Sequence, residues 1–214
     1  MARLTLEQIW IKATQIPNAK GQPAVWRRNY SQSPKRQINQ IVPFLGTKTV
    51  LISASFWGLT ENSVHLSNIL FMNCEIIEEV AETVQAEEET QEPTIIDSEK
   101  PQIPVRKPIV NTNVNPTYDP NTHFRIQYQN KFYWIKKFDM KRQSVLVRCS
   151  CSDYYFTWSW SNMLAGIQFG GRFKPYVRKT KTHAPRNPDV RKYQGLCKHL
   201  AQFAAMLQNN GLSL

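Results

Sequence analysis

Apolar and polar positions change rhythm several times along this chain, and each rhythm predicts an element. Leu6, Ile9, Trp10 and Ala13 recur at helical spacing, and Thr5 and Gln8 occupy the two ends of a capping box. Pro17 closes the segment. The helix so predicted, about 11 residues long, is too short to stand alone in water and must dock on something. Residues 17–46 hold Pro17, Pro23, Pro34 and Pro43 with Gly21 and Gly46, so no regular element is predicted there. Next, Val50, Ile52, Ala54 and Phe56 alternate with Leu51, Ser53, Ser55 and Trp57, the period-two pattern of a strand covered on both faces. A turn over 58–62 leads to a second strand-like run, 66–77, and together these suggest an antiparallel sheet.

Past Glu78 the pattern stops. An acidic tract (Glu78, Glu79, Glu82, Glu87, Glu88, Glu89, Glu92) gives way to Pro93, Pro101, Pro104, Pro108, Pro116 and Pro120. Such a composition reads as a linker, self-repelling at first and then extended. Periodicity returns at 123–139 as a hairpin, with Phe124, Ile126 and Tyr128 alternating before a Gln129-Asn130 turn and Phe132, Trp134 and Ile135 after it. Residues 144–151 predict a third strand beside that hairpin, and the aromatic run 153–160 a fourth. Leu200, Phe203, Ala204 and Leu207 return to helical spacing and stop at Asn209-Asn210-Gly211. The fold class expected is α+β. It comprises a β-rich N-terminal domain with one short helix (1–77), an acidic then Pro-rich linker (78–122), and an antiparallel sheet plus one helix (123–214).

Charge sharpens this division. The net charge is +11, yet residues 75–99 carry 10 acidic side chains and no basic one, whereas residues 100–214 carry 19 Lys/Arg against 4 Asp/Glu. A cationic surface attracts nucleic acid or any acidic protein face. Two segments interleave basic and aromatic residues in the manner of a single-strand binding groove. One is Trp26-Arg27-Arg28-Asn29-Tyr30, which continues to Lys35-Arg36. The other is the irregular stretch 165–194, with Arg172, Lys174, Arg178, Lys179, Lys181, Arg186, Arg191 and Lys192 among Phe169, Phe173, Tyr176 and Tyr193. A solvated loop tacked down by its aromatics is the plainer reading of each.

The chemistry of the chain is concentrated in Cys149-Ser150-Cys151 and Cys197-Lys198-His199. A structural zinc ion wants four thiolate or imidazole donors in a tetrahedron, and these two half-sites supply that number. The first lies at a predicted strand end, where alternate residues share a face, and the second opens a predicted helix. A Cys–His nucleophile pair is the competing reading, but three thiols with one imidazole and few carboxylates nearby do not make a triad. Four available ligands likewise favour a closed site over a catalytic zinc with an open position. Four cysteines are too few for a disulfide scaffold and suit a reducing compartment. Cys74 reads as a buried core thiol, and His65, His123 and His183 as surface residues. No phosphate-cradling loop or hydrolase motif is present, no apolar run approaches a membrane span, and an enzyme is not expected.

CxC, an insert, and CxH running into a helix resemble the SWIM-type zinc finger over about residues 123–214, with Cys149, Cys151, Cys197 and His199 matching the family's four ligands in order. The insert, 152–196, is longer than the compact hairpin of typical members. The CSC motif, aromatic segment, long loop and G-L-C-K-H ending also resemble SWIM-like domains in virion proteins of tailed bacteriophages. That resemblance implies a non-catalytic assembly protein at a tail, baseplate or neck, present in several copies and contacting other virion proteins, assembled in the host cytoplasm. It implies no membrane and no small-molecule substrate. SWIM-type domains in general imply the alternative, a cytoplasmic nucleic-acid-binding module using Arg27, Arg28 and the cations of 172–186.

Overall fold

The computed structural model of the chain describes residues 4–9, 35–57, 63–79, 118–171 and 194–214. The architecture is α+β: two antiparallel sheets and a few short helices around one core. At the start, Thr5 and Gln8 form the capping box in both directions. The Thr5 N–H donates to Gln8 Oε1 at 3.0 Å and the Gln8 N–H to Thr5 Oγ1 at 3.2 Å. The helical turn they open buries Leu6 and Ile9. Trp10, Ala13 and Pro17 lie outside the described residues, as do the 58–62 turn and nearly all of the acidic and Pro-rich stretch.

Among the described residues seven strands follow: β1 (Arg36–Phe44), β2 (Thr49–Trp57), β3 (Val64–Phe71), β4 (Ile76–Glu78), β5 (His123–Tyr128), β6 (Lys131–Lys136) and β7 (Val145–Cys149). They make one sheet in the order β1-β2-β3-β7 and another in the order β4-β6-β5. Strand β2 is where the alternation placed it, with Val50, Ile52, Ala54 and Phe56 wholly buried. The β5–β6 hairpin turns at Gln129 and Asn130, both at positive φ (49° and 61°), the backbone of a type I′ turn.

Several expectations are corrected. Strand β1 occupies the end of the Pro-containing segment. It is an edge strand with an irregularity between Ile38 and Gln40, and Pro43 comes one residue from its end, where a missing N–H is tolerated. The run 66–77 is two strands in different sheets, because the chain bends over Met72–Glu75 with Asn73 at φ 53°. The aromatic run 153–160 is helical, a π-helical turn over Tyr154–Trp158 continuing into α1 (Ser159–Leu164), although its residue types favour strands. Helical winding lets Tyr154 and Trp158 both reach the core while Tyr155 and Phe156 face outward.

The partition into two separate domains is also corrected. Strand β7 pairs with β3, not with the hairpin, through Ser67↔Cys149, Ile69↔Val147 and Phe71↔Val145. Strand β4 in turn joins the hairpin sheet. Each sheet therefore draws strands from both sides of the linker, and one core runs from Leu6 through β2, β3 and β7 to Leu207. Phe71 stacks on Phe138 with centroids 4.0 Å apart. The first glutamates of the acidic tract are ion-paired rather than self-repelling: Glu79 meets Arg125 at 2.8 Å and Glu78 meets Lys131 at 2.6 Å.

The last helix, α2 (Lys198–Asn209), buries Leu200, Phe203, Met206 and Leu207, and Ala204 packs half-buried beside them. Gly211 ends it at φ 67°, with its N–H on the Gln208 carbonyl and the Leu212 N–H on that of Leu207. Among the described residues no helix is long and apolar enough to cross a membrane.

Candidate metal centre

Three elements meet at the head of α2. Cys149 is the last residue of β7, Cys151 follows at the bend into the π-helical turn, and Cys197 is the N-cap of α2 with His199 in its first turn. The sulfurs and one imidazole nitrogen all lie within 4.8 Å of one another, and all four residues are buried. An ideal tetrahedron with zinc–sulfur bonds of about 2.3 Å has edges of about 3.8 Å. Cys149 Sγ and His199 Nδ1 are 3.8 Å apart. The four cysteines of the chain are free thiols. Nδ1 is thus the His199 ring nitrogen beside Cys149 Sγ, while Nε2 is buried with no hydrogen-bond partner among the described residues. The donor set fits a metal ion, and the group could hold one.

The surroundings orient these donors. Ser150, between the two cysteines, is tied to Leu66 of β3 twice: its N–H donates to the Leu66 carbonyl at 2.9 Å and its Oγ accepts from the Leu66 N–H at 2.9 Å. Backbone amides also point at sulfur, from Tyr154 to Cys151 Sγ at 3.3 Å and from Cys151 to Cys149 Sγ at 3.5 Å. The His199 ring packs against His65 and Phe56 at centroid distances of 4.6 and 5.6 Å. His65 is thus a half-buried neighbour of the site rather than a surface residue. His123 is half-buried too, beside Glu75.

Electrostatics distinguish the thiols. Burial pushes the Cys149 thiol up, but hydrogen bonds from Cys151, Cys197 and Ser67, with the Cys151 amide, outweigh it and hold Cys149 well below the ordinary thiol range. Cys197 is driven well above that range, first by burial and then by Cys149 and Cys151. Several buried thiolates side by side would repel one another, and a cation held among them would offset that charge.

The approach to Cys197 is shaped by residues that sequence reasoning did not single out. Asn162, fully buried in α1, holds Gly195 through both backbone polar groups. Gly195 leaves no room for a side chain, since a Cβ there would meet the Trp158 ring at 2.3 Å. Tyr154 sits with its hydroxyl on the Val147 carbonyl at 2.8 Å, linking the π-helical turn to β7. A buried asparagine in a short aromatic helix leaves no periodic signal. The Gly before Leu196-Cys197 was visible only as part of the motif.

The structure brings together Cys149, Cys151, Cys197 and His199. The other sequence-predicted contacts, Arg27, Arg28, Arg172, Lys174, Arg178, Lys179, Lys181 and Arg186, lie outside the described residues. Comparisons of the chain with protein-family models, curated proteins and solved structures give no match.

Proposed function

We propose that the chain is a non-catalytic structural protein closed by one zinc ion on Cys149, Cys151, Cys197 and His199. The observation that carries this is the burial of four soft donors, from a strand end, a bend and a helix start, within 4.8 Å of one another. Such a set favours zinc among divalent ions, since thiolate-rich tetrahedral sites select it. With all four positions filled by protein, zinc supplies cross-linking and charge neutralisation, not an open site for water or substrate. The protein's own part is to hold Cys149 against β3 and to present Cys197 and His199 from one helix start. Elemental analysis of protein purified without added metal tests this: one zinc per chain is expected, and metal-free, well-folded protein would refute it.

The role we assign is assembly, as a component of a tailed-bacteriophage virion bridging neighbouring subunits. Its support is the resemblance of the CSC to G-L-C-K-H segment to virion proteins, and the acidic and Pro-rich stretch 78–122, whose composition suits an arm laid along partners. Mass spectrometry of purified virions should find the chain in stoichiometric amounts, and its absence would end that assignment. The charge pattern favours a second reading, a nucleic-acid-binding module, because residues 100–214 carry 19 basic side chains against 4 acidic. That reading demands binding that weakens steeply with salt as counterions are released. No binding to DNA or RNA at low salt removes it.

A further inference from the structure

We propose that Ser67, in β3, is a positioning residue of the metal centre, holding the Cys149 sulfur in its ligand orientation from the opposite half of the chain. The inference rests on the zinc reading above and adds to it a residue outside the ligand motifs.

Ser67 stands on a face of β3 between half-buried His65 and the wholly buried apolar Ile69 and Phe71. Its partner on β2 is Ala54 and its partner on β7 is Cys149. Directly opposed residues of an antiparallel pair bring their side chains together, so the register aims the hydroxyl at the sulfur. The Ser67 Oγ–H donates to Cys149 Sγ at 3.2 Å, across 82 positions of sequence. Ser67 has no exposed surface, and among the described residues the sulfur is its one side-chain partner.

A fully buried hydroxyl is costly unless it is bonded. A neutral thiol is a weak acceptor, whereas a thiolate accepts strongly and stays charged when bound to a metal. Ser67 is therefore satisfied best when Cys149 is a thiolate ligand. Its hydrogen bond restrains the Cys149 side chain and leaves the other sulfur lone pairs for a metal shared with Cys151, Cys197 and His199. Partners of this kind orient a ligand and tune the metal without touching it.

The test compares the full-length parent with Ser67→Ala and, as control, Ser53→Ala. Ser53 is another buried hydroxyl of the same sheet, but it donates to Asn68 Oδ1 at 2.6 Å. Zinc affinity is measured by competition with a chromogenic chelator, and the thiolate-to-metal charge-transfer band is recorded after loading with cobalt. S67A should bind zinc at least about tenfold more weakly, the lower end of the usual range for such partners, and shift the cobalt band. S53A should leave both unchanged. An S67A protein matching the parent in affinity and band overturns the proposal and leaves the metal centre standing. A parent that binds neither ion removes the centre and the proposal with it. Where S67A does not fold, Ser67→Thr decides: it keeps the hydroxyl and should retain parental affinity, and a folded S67T with the full loss overturns the proposal.

Discussion

Asn162 grips Gly195 at both ends of one residue. Its Nδ2 donates to the Gly195 carbonyl at 2.9 Å and its Oδ1 accepts from the Gly195 N–H at 3.0 Å. A side chain from α1 thus satisfies both backbone polar groups of Gly195, which pairs with no strand among the described residues, two residues before Cys197. Replacement of Asn162 by alanine strands two buried backbone groups, at about 1–3 kcal/mol each. N162A should unfold at lower urea concentration and hold zinc more weakly than the parent. An unchanged midpoint would mean that water replaces the side chain at no cost.

Gly195 itself lies against the six-membered ring of Trp158, three of whose carbons would fall within 2.7 Å of an added Cβ. Trp158 is wholly buried, so the ring cannot swing aside freely. Gly195→Ala should destabilise the protein by about 1–3 kcal/mol, the usual cost of overpacking. The mechanism is checked by a double-mutant cycle with Trp158→Phe. A smaller ring should recover part of the G195A loss, whereas strict additivity would place the damage elsewhere.

Loss of a ligand should be felt well beyond the C-terminal segment. Structural zinc contributes folding free energy directly. Because β7 pairs with β3 and shares a core with β2, a disordered Cys149 end removes packing from Ile52 and Ile69. Cys197→Ser should lower zinc content and reduce hydrogen-exchange protection at Ile52 and Ile69 together with that of α2. Intact protection of β2 and β3 in a zinc-free C197S protein would restore the picture of two independent domains.

What the sequence revealed, and what it hid, follows from how local each signal is. The Cys149-Cys151 and Cys197-His199 pairs are each closed over three residues with a chemical requirement, so the four members of the buried cluster could be named from spacing. The β5–β6 hairpin and the Thr5–Gln8 cap are likewise closed over a few residues. Strand order is a non-local property: nothing in Val145–Cys149 states that its partner is β3 and not the preceding hairpin, and the domain division failed on that point. The aromatic run at Tyr154 failed for a different reason. Its residues suit a strand by type, but burial of Tyr154 and Trp158 on one side, four residues apart, is met by a helical path. Ser67 and Asn162 were invisible because a lone buried polar residue acquires its meaning only from the atom placed opposite it.

Cys74 gives a dependence on pH that can be separated from the metal. Its thiol is buried beside Gln143, whose Nε2 donates to Sγ at 3.2 Å. Burial pushes it from an ordinary 9.0 up to about 12, against the lowering influence of its hydrogen bonds from Val50 and Gln143. The sign follows from proton counts: between these two values the unfolded chain has lost the proton and the folded chain has kept it. Stability contributed by the protonated thiol is therefore complete below pH 9.0 and declines as pH rises toward about 12. The slope is at most about 1.4 kcal/mol per pH unit for one group. Lysines and tyrosines titrate in the same window, so the measurement is a difference between parent and Cys74→Ala by urea unfolding at several pH values. The advantage of the parent over C74A should be constant below pH 9 and shrink above it. A difference that stays level to pH 11 would show that the Cys74 thiol ionises as readily in the folded protein as in the unfolded chain.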